Sequence, residues 1–260
     1  MRRRINRLWR LGGTGIAFAF IFFGGGLLAV TLLPLLALIP GNQRNRAQAI
    51  IHLNFRFYMS MLQRLGLIRL EIEGADRLKS VGGRIIVANH PSLLDVVMLM
   101  ALVPRAQCIV KHELWNSFLL GGLMRRAGYI RNDLAPEALV EACRTALDEG
   151  YSLIIFPEGT RTRPGCLPRF HRGFANLATL AGASIQLVII TCDPPTLIKG
   201  EPWWRIPARK PLFRLVVDEC LDADTYLGYR HRSIAVRKIA GNLEAYYAGK
   251  LAKTCVGSGR

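Results

Sequence analysis

The chain has 260 residues, of which 51% are hydrophobic, enough to bury the core of one sizeable α/β domain and to add a terminal extension. Its 35 lysines and arginines against 18 acidic residues give a net charge of +17, which indicates an acidic partner: nucleic acid, an anionic membrane or a phosphorylated substrate. The six cysteines include no Cys-x-x-Cys pair and no metal-site spacing, so they are interpreted as free thiols and no metal is expected.

The N-terminus joins a cluster of arginines to a long apolar segment. Five of the first ten residues are arginine, and residues 11–40 carry no charge. This segment is too long for the apolar core of a cleaved signal peptide, so it predicts a retained membrane anchor. Gly24, Gly25, Gly26 and Pro34 interrupt it, and as a helix it would span about 45 Å, too little for two crossings of a bilayer core of about 30 Å. We therefore expect a re-entrant helical hairpin with both ends on the cytoplasmic side.

Residues 44–66 predict an amphipathic helix, because apolar side chains recur at spacings of three and four among four arginines. Such a helix either lies on the bilayer with its arginines at the headgroups or packs against the following domain, and each arrangement suits a different face. Together with the preceding segment it forms a predicted membrane anchor, residues 1–66.

The remainder, residues 67–260, alternates strands with helices and predicts one α/β domain with a largely parallel sheet flanked by helices. The predicted strands are residues 67–73, 84–88, 106–110, 128–131, 152–156, 184–191 and 212–217. The predicted helices are residues 93–103, 114–127, 136–149, 174–181 and 233–252. In such sheets functional sites form at the carboxyl ends of strands, so the segments that follow buried strands are the candidates.

The first candidate site is the sequence NHPSLLD, residues 89–95, which follows the predicted buried strand 84–88. Pro91 disfavours a helical conformation at His90 and suits the first turn of the next helix, so His90 is expected at a strand-to-helix corner. A regular helix would separate side chains five positions apart by about 140°, whereas the corner allows Asp95 to reach the imidazole. The pair is then either a general base with its orienting carboxylate or a structural contact.

The second candidate site is FPEGTR, residues 156–161, at the end of another predicted buried strand. Arg161 offers a bidentate guanidinium that matches a phosphate, and Gly159 permits close backbone approach or a positive φ. Glu158 is expected to pair with Arg161 or to hold a hydroxyl of a bound molecule. A basic loop follows, with Arg163, Arg169, His171 and Arg172. The competing interpretation is a surface turn with solvated charges.

NHPSLLD and FPEGTR, in this order and at this spacing, resemble the glycerolipid acyltransferase family typified by 1-acyl-sn-glycerol-3-phosphate acyltransferases. The likeness covers residues 67–220, and the two motifs together are far more specific than either one alone. The resemblance implies that His90 and Asp95 are the catalytic pair. It also implies an acceptor-binding block, which comprises Glu158, Gly159, Thr160 and Arg161.

Two other stretches match the family less well. The sequence GYIR, residues 128–131, falls where the family has a second block, so the resemblance implies that Arg131 helps to bind the acceptor phosphate. Ile130 stands where the family normally has an acidic residue, and residues 185–188 lack the proline of the fourth block. These departures leave the catalytic pair intact but weaken the assignment of lysophosphatidic acid as the acceptor.

The resemblance implies an O-acyltransferase that moves a fatty acyl group from acyl-CoA or acyl-carrier protein to the free hydroxyl of a lysophospholipid. It implies no metal and no cofactor besides that co-substrate. No ligand spacing links the remaining histidines, which are His52, His112, His171 and His231. Because an enzyme that uses a cytosolic donor must face the cytosol, we expect it at the cell inner membrane, with its catalytic domain on the cytoplasmic face and in contact with membrane lipids.

Three other functions remain as alternatives. A different lipid acceptor, such as a lyso-aminolipid or a secondary-metabolite lipid, fits the altered second block. A non-catalytic membrane scaffold would not need the intact motif residues. A nucleic-acid-binding protein would interleave aromatic and basic residues on one face, whereas the arginines here are scattered or lie beside the motifs, so no nucleic-acid partner is expected.

Overall fold

A seven-stranded sheet forms the centre of the computed structural model, which describes residues 2–27, 31, 39–79, 82–118, 120–229 and 231–257. The strands are β1 (Arg69–Glu73), β2 (Ile85–Ala88), β3 (Ala106–Val110), β4 (Ile130–Arg131), β5 (Ser152–Ile155), β6 (Ile185–Asp193) and β7 (Leu212–Leu221). Their order is β1-β7-β6-β2-β5-β3-β4, and neighbours are parallel except β6 and β7. The predicted α/β fold with a largely parallel sheet is confirmed.

Helices cover both faces of this sheet. They are α1 (Arg2–Ala19), α2 (Gln43–Arg64), α3 (Asp76–Lys79), α4 (Asp95–Leu102), α5 (His112–Trp115), α6 (Gly121–Arg126), α7 (Pro136–Asp148), α8 (Gly173–Ala181), α9 (Asp224–Leu227) and α10 (Arg232–Gly257). One face packs with α2 and α4, and the other packs with α7, α8 and α10. The chain thus builds a three-layer arrangement with the sheet in the middle.

Strand β2 shows how the core divides into two layers. Its four residues are all buried, with exposed fractions of 0–1%. Ile86 and Ala88 belong to the core layer of α2 and α4, whereas Ile85 and Val87 belong to the layer of α7, α8 and α10. Successive side chains of a strand point to opposite faces, so a strand covered on both faces appears in the sequence as a continuous apolar run. That run is the pattern that predicted β2.

The predicted helix 114–127 is wrong as a single helix, and the two short helices α5 and α6 replace it. The break falls at Ser117, whose hydroxyl oxygen accepts the N–H of Leu120 at 3.3 Å and whose carbonyl oxygen accepts the N–H of Gly121 at 2.8 Å. A serine that caps the start of a new helix in this way competes with continuation of the preceding one. The short helices α3 and α9 have no counterpart among the predicted elements.

The apolar N-terminal segment begins as one helix. α1 continues through a π-helical turn, Phe20–Gly24, and residues 25–27 remain helical. The predicted break at the three glycines is therefore wrong. A Cβ atom at Gly25 would lie 3.2 Å from the Leu120 side chain, so this glycine allows close packing and does not reverse the chain.

This N-terminal helix is held against the α/β domain. Arg10 is 4% exposed, and its guanidinium donates hydrogen bonds of 2.7–2.9 Å to the backbone carbonyl oxygens of residues 207–209. The rings of Phe18 and Trp203 lie 5.6 Å apart. No helix within the described part of the chain is long and apolar enough to cross a membrane. The expected return half of the hairpin, with Pro34, falls mostly outside the described residues, so the predicted membrane-embedded segment has no support.

Helix α2 shows one of its two expected arrangements. Its buried face, which includes Ile51, Tyr58 and Leu62, packs on the domain beside α4. On its other side Leu53 is 59% exposed and Phe57 is 57% exposed. Packing against the domain is confirmed, and contact of the exposed face with a bilayer stays a prediction.

Candidate active site

The two sequence motifs lie side by side at the carboxyl end of the sheet. β2 and β5 are parallel neighbours, with Ile86 paired to Ile154. Residues 89–95 follow β2 directly, and residues 156–161 follow β5 directly. Because parallel strands end at the same edge of a sheet, this pairing brings together two segments that are distant in the sequence.

Backbone hydrogen bonds join the two motifs at His90. Its N–H donates to Oε1 of Glu158 at 3.0 Å, and its carbonyl oxygen accepts the N–H of Thr162 at 2.9 Å. The His90 ring also stacks on Phe156, with 4.2 Å between the ring centroids. Both the backbone and the ring of His90 are therefore positioned by the second motif.

His90 and Asp95 make the contact that the corner at Pro91 predicts. Nδ1 of His90 lies 2.8 Å from Oδ2 of Asp95, which also accepts the N–H of Ser92 at 2.7 Å. Asp95 begins α4 and is fully buried, whereas the His90 side chain is 15% exposed. Because a carboxylate only accepts hydrogen bonds, the contact places the ring proton on Nδ1 and leaves Nε2 as a proton acceptor. This arrangement is what a histidine general base requires.

Burial favours the neutral forms of both carboxyl groups at the site. It raises the pKa of Asp95 to about 6, although the hydrogen bonds from His90 and Ser92 and the charge of Arg161 act in the opposite direction. Burial raises the pKa of Glu158 to about 7. The hydrogen bond from the N–H of His90 lowers this pKa, and the charge of Asp95 raises it. Near neutral pH Asp95 is therefore mostly ionised and can stabilise an imidazolium, while Glu158 titrates.

Asn89, to which the sequence analysis assigns no role, anchors this corner to the neighbouring strand. It is 4% exposed; its amide donates to the carbonyl oxygen of Ile190 at 2.7 Å and accepts the N–H of Ile190 at 2.8 Å. The amide thus extends the hydrogen bonding between β2 and β6 past the last residue of β2. The sequence does contain a signal for this contact, since Asn89 is a polar residue directly after a fully buried strand. A buried amide needs hydrogen-bond partners.

The remaining residues of the FPEGTR block form a tight turn. Gly159 has a φ of +65°, and the His171 ring lies 3.3 Å from where its Cβ atom would be, so both conformation and space favour glycine. Thr160 is exposed. Arg161 donates to the carbonyl oxygen of Leu197 at 2.7 Å, and its other guanidinium N–H groups have no partner in the described part of the chain. The turn keeps Arg161 close enough to Asp95 to act on the pKa of that carboxyl group.

Arg131 is not brought into contact with these residues. It lies in the edge strand β4, three positions across the sheet from β2, which is about 14 Å at the usual strand spacing. Its guanidinium is bound by Asp133 in a partly exposed ion pair, with Nε 2.8 Å from Oδ1. The sequence patterns did not identify Asp133 as the partner of Arg131, although it lies only two residues further along the chain. The role of Arg131 in binding a phosphate stays a prediction.

An apolar cavity of about 320 Å³ reaches the first motif. It lies between the N-terminal helices, α4 and β3, and its lining includes Phe18, Phe55, Val97 and Met100. Leu93 and Leu94, within the first motif, form part of its wall. A cavity with these walls is suited to a hydrocarbon chain, because burial of apolar surface is its main source of binding free energy.

Residues 69–192, which contain both motifs, match the family model described as Acyltransferase. The 1-acyl-sn-glycerol-3-phosphate acyltransferase of Limnanthes douglasii is 36% identical over 131 residues, which are 48% of this chain and 46% of that protein. The protein of the same name from Helicobacter pylori is 39% identical over 150 residues, which are 55% of this chain and 61% of that protein. The chain therefore spans about half the length of these curated relatives.

The crystal structure of the 1-acyl-sn-glycerophosphate acyltransferase from Thermotoga maritima has a similar fold. It matches with a TM-score of 0.69 over 96% of this chain and 99% of that one. At 21% sequence identity this likeness concerns the fold alone. The family match identifies residues 69–192, which hold both motifs, as an acyltransferase domain, and the two curated relatives, 36% and 39% identical to this chain over the matched residues, are glycerolipid acyltransferases.

Proposed function

We propose that this protein transfers a fatty acyl group from a thioester donor to the free hydroxyl of a lysophospholipid resembling 1-acylglycerol-3-phosphate. The observation that carries the proposal is the His90–Asp95 contact, which leaves Nε2 as a proton acceptor beside the block that contains Glu158 and Arg161. The names of the relatives indicate the acceptor. The donor is acyl-CoA or acyl-carrier protein, and the reaction needs no further cofactor.

In the proposed reaction, Nε2 of His90 removes the proton of the lipid hydroxyl as its oxygen attacks the thioester carbonyl carbon. A C–O bond forms, and the C–S bond breaks when the tetrahedral intermediate collapses. The departing thiolate takes the proton back from Nε2, so the imidazole returns to its starting state. Asp95 stabilises the transient imidazolium through Nδ1, because charges attract more strongly in a buried site than in water.

The acceptor needs partners for its phosphate and its glycerol oxygens in the same corner. Arg161 offers the guanidinium N–H groups that Leu197 does not occupy, and a guanidinium binds phosphate oxygens through paired hydrogen bonds. Oε2 of Glu158 is buried without a hydrogen-bond partner among the described residues, so it can bind a lipid oxygen when protonated. Gly159 and Thr160 complete the turn that faces the acceptor in this proposal.

The apolar cavity and the N-terminal helices serve the lipid part of the substrate in this proposal. An acyl chain in the cavity gains about 0.8 kcal/mol for each methylene removed from water. Large apolar side chains are exposed on α1 and α2, among them Trp9, Ile16, Leu53 and Phe57. This surface and the net charge of +17 suit contact with an anionic bilayer, which we take to be the cytoplasmic face of the cell inner membrane.

His90→Ala tests the proposed base. We expect the rate of acyl transfer to 1-acylglycerol-3-phosphate to fall by about 10²- to 10⁴-fold, as removal of a general base does. The product is measured by mass spectrometry after incubation with a labelled acyl donor. His112→Ala is the matched control, because His112 is an exposed histidine at the start of α5. A folded His90→Ala protein that keeps its turnover would reject the assignment.

One observation favours a second acceptor class. Asp133 occupies the guanidinium of Arg131, so the residue expected to bind an acceptor phosphate is already paired. A lyso-aminolipid or a secondary-metabolite lipid without that phosphate would not need it. A panel of these acceptors beside 1-acylglycerol-3-phosphate separates the possibilities by their kcat/KM values. Transfer to none of them would favour a non-catalytic membrane scaffold.

A further inference from the structure

A cleft with basic walls lies on the face of the sheet opposite the apolar cavity. It has a volume of about 530 Å³ and opens between the first turns of α8 and α10. Its polar lining comprises Arg172, Asn176, His231, Arg232, Ser233 and Arg237. We refer to it as the basic cleft.

The charges of the basic cleft are not neutralised by neighbouring side chains. Arg172, Arg232 and Arg237 are exposed and form no ion pair with any residue that the structure describes. The first turns of α8 and α10 contain no acidic residue. On α7, by contrast, Arg144 pairs with Glu141. Three guanidinium groups around one concave space repel each other, so the arrangement favours an anionic occupant.

The basic cleft adjoins the loop of the second motif. Arg172 directly follows His171, whose ring packs against Gly159 of the FPEGTR turn. The N–H of Phe170 donates to Glu244 of α10 at 2.6 Å, which ties the same loop to the helix that forms the other wall. One wall of the basic cleft therefore begins directly after the loop that packs on the turn of the proposed acceptor site.

We propose that the basic cleft binds the phosphate groups of a coenzyme A thioester, which makes coenzyme A the carrier of the donated acyl group. This inference rests on the proposed acyl-transfer function. Coenzyme A presents a diphosphate and a 3′-phosphate on a small molecule, and guanidinium groups bind phosphate oxygens in pairs. The volume of the cleft falls within the range of about 300–1,000 Å³ that is usual for small-molecule sites. A folded carrier protein would instead need a broad contact surface of about 800 Å².

The double variant Arg232→Glu/Arg237→Glu tests this assignment, because both side chains are exposed on α10 and neither takes part in the proposed chemistry. Transfer is measured with a long-chain acyl-CoA and with the matching acyl-dephospho-CoA, which lacks the 3′-phosphate. In the unmodified protein we expect the KM for the dephospho donor to be about tenfold to hundredfold higher. In the double variant the KM for acyl-CoA rises by a similar factor, so that the KM values for the two donors become nearly equal. The kcat changes little.

Two control variants separate phosphate binding from general effects of charge and folding. Lys79→Glu also reverses a positive charge, at an exposed site on α3, and it should keep the preference for the 3′-phosphate. Arg232→Lys/Arg237→Lys keeps the positive charges but not the paired hydrogen bonds, so its KM for acyl-CoA should lie between those of the unmodified protein and the double variant.

Calorimetric titration with free coenzyme A and dephospho-coenzyme A measures the same contrast without turnover. Equal binding of both compounds by the unmodified protein, or an unchanged contrast in the double variant, would overturn the assignment. So would acyl transfer from a carrier protein combined with no binding of coenzyme A. If coenzyme A binds with the expected contrast but no lipid is acylated, the proposed function fails and the assignment of the basic cleft stands.

Discussion

The centre and the edge of the sheet hold their candidate functional residues in different ways. At the centre, Asp95 and Glu158 are buried, and His90 is joined to both by hydrogen bonds of 2.8–3.0 Å. At the edge, Arg131 is partly exposed and its partner is the partly exposed Asp133. The centre is preorganised, whereas the edge can exchange its partner easily, because exposed ion pairs contribute little to stability. Reacting groups belong in the first setting and adaptable substrate ligands in the second.

Asp95→Asn acts on the centre and should have the largest effect. Asparagine keeps the size of the side chain, but its amide N–H can point at Nδ1, which moves the ring proton to Nε2 and removes the base. We expect kcat to fall by about 10³-fold or more with little change in KM. Initial rates at saturating donor and acceptor give the answer, with circular dichroism to show that the variant is folded. A kcat within tenfold of the unmodified protein would mean that the tautomer does not depend on Asp95.

Asn89→Leu removes the connection between the centre and β6. The N–H and carbonyl groups of Ile190 would lose their side-chain partners in a buried place. Because buried polar groups without partners destabilise the fold, we expect the free energy of unfolding to fall by about 3 kcal/mol. Urea denaturation of the variant measures this change, and Asp133→Ala at the edge is the comparison. Equal stability of the two variants would contradict the contrast between centre and edge.

Glu158→Gln tests the centre of the sheet through the pH dependence of its stability. The pKa of Glu158 is raised from its ordinary value of 4.5 to about 7, so the folded protein binds this proton more tightly than the unfolded chain. The contribution of Glu158 to stability is then greatest at low pH and is lost as the pH rises from about 4.5 to 7, by about 2 kcal/mol between pH 5 and pH 7.5. Glutamine stays neutral and still accepts the N–H of His90, so the variant should lose less stability over this range. Chemical denaturation at several pH values measures both slopes, and equal slopes would assign the titration to another group.

The same contrast separates what the sequence could predict from what it could not. The strands β2 and β5 were predictable because burial on both faces leaves a continuous apolar run. The contact between His90 and Asp95 was also predictable, because the corner at Pro91 is local geometry. The partner of Asn89 was not, since Ile190 is 101 residues further along the chain and becomes a neighbour only through the order of the strands.

Two errors in the helical regions concern residues that allow more than one local structure. Three consecutive glycines suggest a chain reversal by their composition, but Gly25 instead gives room to the side chain of Leu120 from another part of the chain. Ser117 is compatible with a helix interior or with a helix start, and the fold selects the second. At Gly25 a tertiary contact decides between two locally acceptable structures, whereas at Ser117 the local hydrogen bonds of the helix cap do so.

Asp133→Ala tests the edge and should have the smallest effect. Removing this carboxylate frees the guanidinium of Arg131, so we expect the KM for a phosphate-bearing acceptor, 1-acylglycerol-3-phosphate, to fall by about threefold while kcat stays unchanged. Arg131→Ala should raise the same KM, and neither variant should change the KM for a lyso-aminolipid without a phosphate. Steady-state kinetics with both acceptors measure these changes. A constant KM in both variants would leave Arg161 as the guanidinium on which phosphate binding depends, and the whole acceptor site would then lie at the preorganised centre.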